Sequence, residues 1–452
     1  MTAHGDGPRS VSRRRDLILG VAIPHRLTRF GSRFAMILSG EMIQSLFHFV
    51  LNVLLARKLG AHDYGLFAIV FTLGAVGVTY IRALMAVPAT LYLARSLGRP
   101  AARGYAVMFG TGAAAVSGIM AFLVGTALVP VIGPGALAGG AFVGLYAFRS
   151  YLRIVLVARG RPWAASLSDV VYAGCGMLFV ELGLRAEGPA LLDRAFLAVA
   201  LAHALAIAAA YGVLRERLRV SLHAQARRRY LAIWRPLAWS LTGITALTVQ
   251  GQGLTLLLAF VIGPAAYAPI AATLVLYAPL RIATVALTNM LLPDLTGLLA
   301  SGQFERAHRF VVRSIVIIGG VCVAYGALML VALPEIEAVL FKGRFAGEPM
   351  GRIGFVVWGV VTLALLYTIP RAFLEASAAF RTITEVAIAS AVLGFVIMVP
   401  AVMLLPSAYA LLGLAVSEAV TLACSVWAFR DRVLGHNEPV PEAAGPTKPI
   451  RA

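Results

Sequence analysis

Long apolar runs recur along the whole chain and are separated by short polar segments, most of which are basic. Each run is close to the roughly 20 residues that an α-helix needs to cross a bilayer. The runs are too long and continuous for the alternating strands of an outer-membrane barrel. The pattern therefore predicts an all-α polytopic membrane protein. Its twelve transmembrane helices are expected at 34–56, 64–86, 104–129, 134–157, 163–184, 190–214, 236–261, 266–292, 310–333, 352–375, 382–405 and 408–430.

Composition and charge support this fold class and orient the helices. Sixty per cent of the residues are hydrophobic, a fraction typical of membrane proteins rather than of soluble domains of 452 residues. A net charge of +19 would suggest nucleic-acid binding in a soluble protein. Here 31 of the 39 Lys and Arg residues lie on one side of the predicted helices and seven on the other. The positive-inside rule therefore places both termini in the cytoplasm, and no nucleic-acid partner is expected.

The two halves of the sequence repeat. Residues 54–70 and 257–273 each contain an apolar run that ends in Gly, followed four positions later by Tyr. Residues 85–99 and 290–303 share a proline at nearly the same offset. Because each half contains an even number of helices, both halves insert with the same orientation. We expect two pseudo-symmetric six-helix lobes related by an axis along the membrane normal, with a central site between them.

This repeat defines the predicted organisation. It consists of a cytoplasmic basic arm (1–33), an N-terminal six-helix lobe (34–214), a cytoplasmic basic linker (215–235), a C-terminal six-helix lobe (236–430) and a cytoplasmic tail (431–452). The linker carries leucines and a tryptophan among its arginines, so it could lie flat on an anionic leaflet. A solvated basic loop is an equally good interpretation. The three cysteines all fall in apolar spans and suggest neither a disulfide nor a metal site.

A polar stripe follows the first predicted helix. Glu41, Ser45, His48 and Asn52 fall within roughly 60° of arc at 100° per residue, with Gln44 at the edge of the stripe. Ionisable groups in a membrane normally face a bundle interior or water, because a charge near the bilayer centre costs at least about 2.5–3.5 kcal/mol. The stripe is therefore a candidate cavity wall, and Glu41 and His48 are candidates for coupling transport to protons.

Other spans carry polar residues of the same kind. We expect a hydrated cavity, lined mainly by spans one, two, seven and eight, with a central Arg281. The candidate substrate-binding residues outside the first helix are Arg149, Arg153, Gln252, Tyr277, Arg281 and Arg371. Structural roles remain open alternatives. His48 and Asn52 could bond a neighbouring helix, Arg281 could pair with Glu41, and the arginines of spans four and ten could snorkel to the interface.

Residues 51–73, LNVLLARKLGAHDYGLFAIVFTL, resemble the first-loop signature of the Wzx-type polysaccharide flippases. The matching positions are Arg57, Leu59-Gly60, Asp63 and Tyr64-Gly65. Residues 289–309 are similar to the segment that follows span eight in that family. The resemblance extends over about residues 30–430. It places the chain in one superfamily with the multidrug and oligosaccharidyl-lipid exporters, but it transfers no short catalytic motif.

The resemblance implies two lobes forming a V around a cavity. It also implies transport of a polyprenyl-diphosphate-linked glycan from the inner to the outer leaflet of the bacterial inner membrane, for surface polysaccharide, lipopolysaccharide or exopolysaccharide biosynthesis. Membrane lipids and the polysaccharide polymerase or export machinery are then the expected partners. No cofactor is expected, although a proton or Na⁺ gradient could drive the cycle. Arginine suits the diphosphate because its planar fork binds phosphate bidentately.

Three other functions compete with this one. A drug or organic-cation antiporter of the same superfamily is the strongest rival, although a central Arg281 would repel a cation. A membrane glycosyltransferase or an O-antigen ligase or polymerase is less expected, because the longest outer connection, about 334–351, is too short to fold alone. An ATP-driven pump is excluded for this chain because none of its three lysines lies in a Walker A sequence. The sequence thus favours a secondary transporter over an enzyme.

Overall fold

A computed structural model describes residues 25–95, 100–185, 190–214, 228, 230–231, 233–280, 291–292, 294–299, 301–377, 379–405, 409 and 411–434 of the chain. Helices account for nearly all of these residues, and no strand occurs among them. This confirms the all-α fold class.

We number the helices α1 to α12 in chain order. Two of them are continuous through a short π-helical turn. The bounds are α1 His25–Lys58; α2 Ala61–Ile81, Arg82–Ala86 (π) and Val87–Arg95; α3 Pro100–Ile132; α4 Ala136–Ala158; α5 Pro162–Arg185; α6 Leu191–Leu214; α7 Trp234–Thr248, Val249–Gly253 (π) and Leu254–Ile262; α8 Pro264–Leu276; α9 Phe304–Leu340; α10 Met350–Ala376; α11 Phe380–Leu404; and α12 Leu412–Leu434.

Twelve membrane spans follow from these helices. Ten helical stretches of the described chain are long and apolar enough to cross a bilayer. One of them, Gly104–Ala158, contains both α3 and α4, which the turn Gly133–Gly135 separates. A shorter apolar helix, Pro264–Leu276, leads toward residues 281–290, which lie outside the described part of the chain. Counting α3 and α4 separately and adding the shorter helix gives twelve spans, the predicted multi-pass layout of two six-helix lobes.

Two helices are longer than the hydrophobic pattern predicts. α1 is helical from His25 rather than from residue 34, and α9 spans Phe304–Leu340 rather than 310–333. The added residues are polar or basic at the start of each helix. Hydropathy marks only the segment embedded in lipid, whereas a helix continues until a breaker or a cap ends it. The ends of α1 and α9 therefore project beyond the hydrocarbon.

Packing within each lobe repeats in the same pairs. In the first lobe α3 packs on α4, α5 on α6, and α4 on α6; in the second α9 packs on α10, α11 on α12, and α10 on α12. Gly140 allows α3 and α4 to approach closely, because any Cβ at this position would lie 2.3 Å from the carbonyl oxygen of Ala121. The two lobes contact each other mainly through α2 and α8. The domain boundaries predicted from the sequence stay predictions.

The π-turns of α2 and α7 lie near the lobe junction. The turn Arg82–Ala86 contacts α7, and the hydroxyl of Tyr80 donates to the hydroxyl oxygen of Thr245 at 3.3 Å. A π-turn inserts an extra residue into a helix and is frequent at functional sites. We call the membrane face at which α1 begins the N-terminal face, and the face of the α1–α2 connection the first-loop face.

Candidate functional site

A charged cluster lies inside the first lobe, between α1, α4 and α5. Asp169 of α5 receives two arginines of α4: Arg149 forms an ion pair with one carboxylate oxygen, and Nε of Arg153 donates to the other at 2.9 Å. Arg153 also forms an ion pair with Glu41 of α1. Arg149 further donates to the Gln44 side-chain oxygen at 3.2 Å. We call Glu41, Gln44, Arg149, Arg153, Ser168 and Asp169 the N-lobe cluster.

The N-lobe cluster is balanced in charge and graded in exposure. Two guanidinium groups face two carboxylates. The Arg149 and Asp169 side chains are only 2 % and 1 % exposed, whereas the Glu41 side chain is 40 % exposed. Asp169 stands seven residues after the start of α5, about 10 Å along the helix axis. The cluster thus runs from a dry interior to an accessible rim near the N-terminal face.

Aromatic and imidazole rings cover the inner end of this cluster. Nε2 of His48 lies 3.0 Å from the hydroxyl oxygen of Tyr172, and the Arg149 guanidinium carbon lies 4.2 Å from the centre of the Tyr172 ring. The fully buried His203 stacks on the other side of Tyr172 at 4.1 Å between ring centroids. Neither nitrogen of His203 has a hydrogen-bond partner among the described residues. These stacked rings hold Arg149 rigidly in place.

The structure places the polar stripe of α1 among residues of its own lobe, and the substrate-binding and coupling roles predicted for the stripe stay predictions. His48 packs against Tyr172, Phe71 and Tyr146 of its own lobe, and Gln44 accepts a hydrogen bond from Arg149. Asn52 is buried and donates to the backbone carbonyl oxygen of His48 at 2.8 Å.

The polar residues of α1 thus bond within the first lobe and with each other. The physical reason is that α4 and α5 present the complementary charges, so the stripe is satisfied without a second lobe. The ion pairs of Arg149 and Arg153 with Asp169 differ from the alternative in which these arginines snorkel to the interface.

A second polar cluster lies in the other lobe, between α7, α10 and α12. Nε of Arg371 donates to Glu375 at 2.9 Å, so this arginine pairs along its own helix. Glu418 of α12 is 5 % exposed and lies close to the Gln250 amide and the Tyr367 hydroxyl. We call Gln250, Tyr367, Arg371, Glu375 and Glu418 the C-lobe cluster.

The C-lobe cluster is not balanced. Within the described chain no arginine forms an ion pair with Glu418, and its Oε2 atom has no hydrogen-bond partner. Nε2 of Gln250 and the hydroxyl of Thr248 are likewise buried and unpaired. Burying a charge without a partner is costly, so Glu418 is a candidate site for a proton or a small bound cation.

The remaining predicted residues fall in different places. Tyr277 is buried and its hydroxyl donates to the Gly354 carbonyl oxygen at 3.3 Å, so it links α8 to α10 instead of lining a cavity. Gln252 lies in the π-turn of α7, and its side-chain oxygen is buried without a partner in the described structure. Arg281 lies outside the described residues, and its predicted role stays a prediction.

Three residues that the sequence analysis did not single out matter here. Asp169 and Glu418 are carboxylates inside apolar spans, and Arg82 is a lone arginine inside the predicted second span. The rule that selected Arg281, a charge within a hydrophobic run, would have selected all three. Arg82 is exposed and lies in the apolar stretch Ala61–Thr90, eight residues or about 12 Å before the end of that stretch toward the N-terminal face.

Neither a protein-family model nor a curated protein matches the sequence. Solved structures do match over most of the chain. The inward-facing conformation of a multidrug-resistance MATE family transporter of the MOP superfamily aligns with a TM-score of 0.69 at 14 % identity, covering 89 % of this chain and 98 % of that one.

The chain has the MATE transporter fold.

Two further structures of this fold match less closely. The outward-facing conformation of a MATE transporter of the same superfamily gives a TM-score of 0.57 at 14 % identity, covering 89 % of this chain and 94 % of that one. A MATE structure in a straight conformation also gives 0.57 at 14 % identity, covering 89 % and 95 %. Of these three structures, the inward-facing one gives the highest score.

Proposed function

We propose that the protein is a flippase that moves a polyprenyl-diphosphate-linked oligosaccharide across the bacterial inner membrane by alternating access. The fold supports a transporter, because the solved structures that share it are described as transporters. The observation that carries the substrate class is Arg82. It is an exposed, permanently charged group on the π-turn where α2 meets α7, at the junction of the two lobes.

The depth of Arg82 suits a lipid-linked diphosphate. Such a lipid begins its passage with its phosphates at headgroup level and its tail in the hydrocarbon. Arg82, which lies about 12 Å inside the apolar stretch of α2, can receive the phosphates as they leave that level and bind them through two parallel hydrogen bonds. The sugar hydroxyls need a polar path as well, because each unpaired polar group costs several kcal/mol in hydrocarbon. A junction between two lobes supplies that path while the tail stays in the bilayer.

The rival proposal is a drug or organic-cation antiporter. The structures that share the fold are multidrug-resistance transporters, and the unpaired Glu418 offers a carboxylate to a cation. Glu418 is only 5 % exposed and interacts with the amide of Gln250 and with Tyr367. This enclosure fits a proton or a small cation better than a drug-sized molecule. We therefore assign Glu418 to energy coupling and keep the glycan lipid as substrate.

Coupling through Glu418 replaces the roles predicted for Glu41 and His48. Glu41 already forms an ion pair with Arg153, and His48 is held by Tyr172. A carboxylate that has its own guanidinium partner gains little from a cation. Glu418 has no such partner among the described residues, so a coupling ion would bind there more strongly.

A deletion strain tests the substrate class. Cells that lack the gene should lose a surface polysaccharide and accumulate its lipid-linked intermediate. Arg82→Gln should fail to restore export while reaching wild-type levels in the membrane. Arg185→Gln is the matched control, because Arg185 is exposed on the first-loop face and its ion pair with Glu181 is exposed as well. Sensitivity to cationic drugs without an accumulated lipid-linked glycan would instead establish the antiporter.

A further inference from the structure

Two arginines cross the lobe junction on the first-loop face. Arg57, in the last turn of α1, donates Nε to the Leu340 carbonyl oxygen and Nη2 to the Val339 carbonyl oxygen, the latter at 2.7 Å. In the opposite direction, Nη2 of Arg344 donates to the Leu59 carbonyl oxygen at 2.8 Å. Each lobe therefore contributes one guanidinium group to the backbone of the other.

The accepting carbonyl groups lie at two helix ends. α9 ends at Leu340 and α1 ends at Lys58, one residue before Leu59. The last carbonyl groups of a helix have no partner within the helix and carry its partial negative charge. A guanidinium group is a permanently charged donor that matches such a cluster of acceptors. The contact is thus reciprocal: an arginine of each lobe caps a helix of the other.

Close packing surrounds this pair. The buried ring of Tyr64 lies 6.5 Å from the ring of Phe345 across the junction. At Gly65 the start of α2 meets the start of α8 so closely that a Cβ there would lie 1.8 Å from the Pro264 carbonyl oxygen. The first-loop face is therefore shut by backbone-to-backbone contact as well as by the two arginines.

We propose that Arg57 and Arg344 form a reciprocal lock that keeps the first-loop face closed and must release before that face can open. The higher TM-score with the inward-facing transporter agrees with a closed first-loop face. The lock rests on the alternating-access part of the proposed function but on no particular substrate. Releasing it breaks three hydrogen bonds, which join two guanidinium groups to three backbone carbonyl groups.

Distances between spin labels test the lock. In a variant with Cys175, Cys322 and Cys424 replaced by serine, one label pair at His62 and Glu348 reports the first-loop face. A second pair at Trp163 and Phe380 reports the N-terminal face. Both pairs are measured in lipid nanodiscs without substrate.

In Arg57→Gln/Arg344→Gln the ratio of first-loop-open to first-loop-closed molecules should rise at least about tenfold, because each variant removes charged hydrogen bonds. The label pair at His62 and Glu348 should gain a longer distance, and the pair at Trp163 and Phe380 a shorter one.

Lys58→Gln is the matched control, because it removes one positive charge from the adjacent exposed position. The Lys58 side chain forms no hydrogen bond in the described structure. Unchanged distances in the double variant would overturn the lock, as would an equal shift in the control. If the double variant does not accumulate, Arg344→Gln alone must give a smaller shift in the same direction. Because no substrate is present, failure here leaves the substrate proposal standing, and the reverse also holds.

Discussion

The two lobes hold polar clusters at related positions, yet only one of them is electrically complete. In the N-lobe cluster Asp169 receives Arg149 and Arg153, and Glu41 completes the balance. In the C-lobe cluster Arg371 pairs with Glu375, and Glu418 remains without a guanidinium partner among the described residues. The first arrangement is suited to holding helices together, whereas the second is suited to binding and releasing a small cation.

The difference can be followed to single positions of the repeat. Arg153 stands five residues before the end of α4, and Arg371 stands five residues before the end of α10. At this alignment Arg149 corresponds to Tyr367, so one lobe has a second arginine where the other has a phenol. Without that second charge, Glu418 has no guanidinium partner among the described residues. The two lobes thus share one arginine position and differ at the position four residues before it.

The largest expected effect comes from breaking the balanced cluster. Asp169→Asn removes the carboxylate that Arg149 and Arg153 share, so that Glu41 is the one carboxylate left for these two arginines in the N-lobe cluster. Removing one partner of a buried ion pair costs about 3–5 kcal/mol, so the midpoint of thermal unfolding in detergent should fall strongly. Glu181→Gln is the control, because its ion pair with Arg185 is exposed and contributes about 1 kcal/mol or less. Equal unfolding midpoints for the two variants would contradict a structural role.

Glu418→Gln should have the opposite effect, because it should lower gradient-driven transport without lowering stability. The amide is close in shape to the carboxyl group and removes an uncompensated buried charge, so stability should not fall. Transport in vesicles should lose its response to an imposed proton or Na⁺ gradient, by tenfold or more, because the coupling ion loses its counter-charge. Gradient-driven transport at the wild-type rate would reject Glu418 as the coupling group. Glu385→Gln is the control, since Glu385 lies exposed on α11 and pairs with Arg381.

A third variant makes the first lobe resemble the second. Arg149→Gln removes the charge that the C lobe lacks at Tyr367 and leaves Asp169 with Arg153 alone. We expect an intermediate loss, about 1–3 kcal/mol, because Asp169 keeps one partner and the amide can still bond to Gln44. Unfolding midpoints check the order of the three effects. A loss as large as that of Asp169→Asn would show that Arg149 contributes as much to the stability of the N-lobe cluster as the shared carboxylate does.

Hydropathy alone predicted the helix layout, because burial in lipid is a property of each segment by itself. The contacts of Glu41, His48 and Asn52 depend on which helices pack against α1, and a helical wheel does not contain that information. Asp169 supplies the missing charge from α5, more than a hundred residues away in sequence. The sequence therefore identified the stripe as polar, whereas its partners and its direction required the structure.

The smallest expected effect is that of Glu41→Gln, which separates coupling through Glu418 from coupling through Glu41. The Glu41 side chain is 40 % exposed and forms one ion pair, with Arg153, which retains Asp169 in its absence. Glu41→Gln should therefore cost about 1 kcal/mol or less of stability. If coupling belongs to Glu418, the pH dependence of transport in this variant should match the wild type across pH 5 to 8.

A shifted pH profile in Glu41→Gln, with an unchanged profile in Glu418→Gln, would return the coupling role to the first lobe. It would mean that an ion pair at an accessible rim exchanges its partner during the cycle. Charge balance in one static conformation would then be a poor guide to which carboxylate carries the proton.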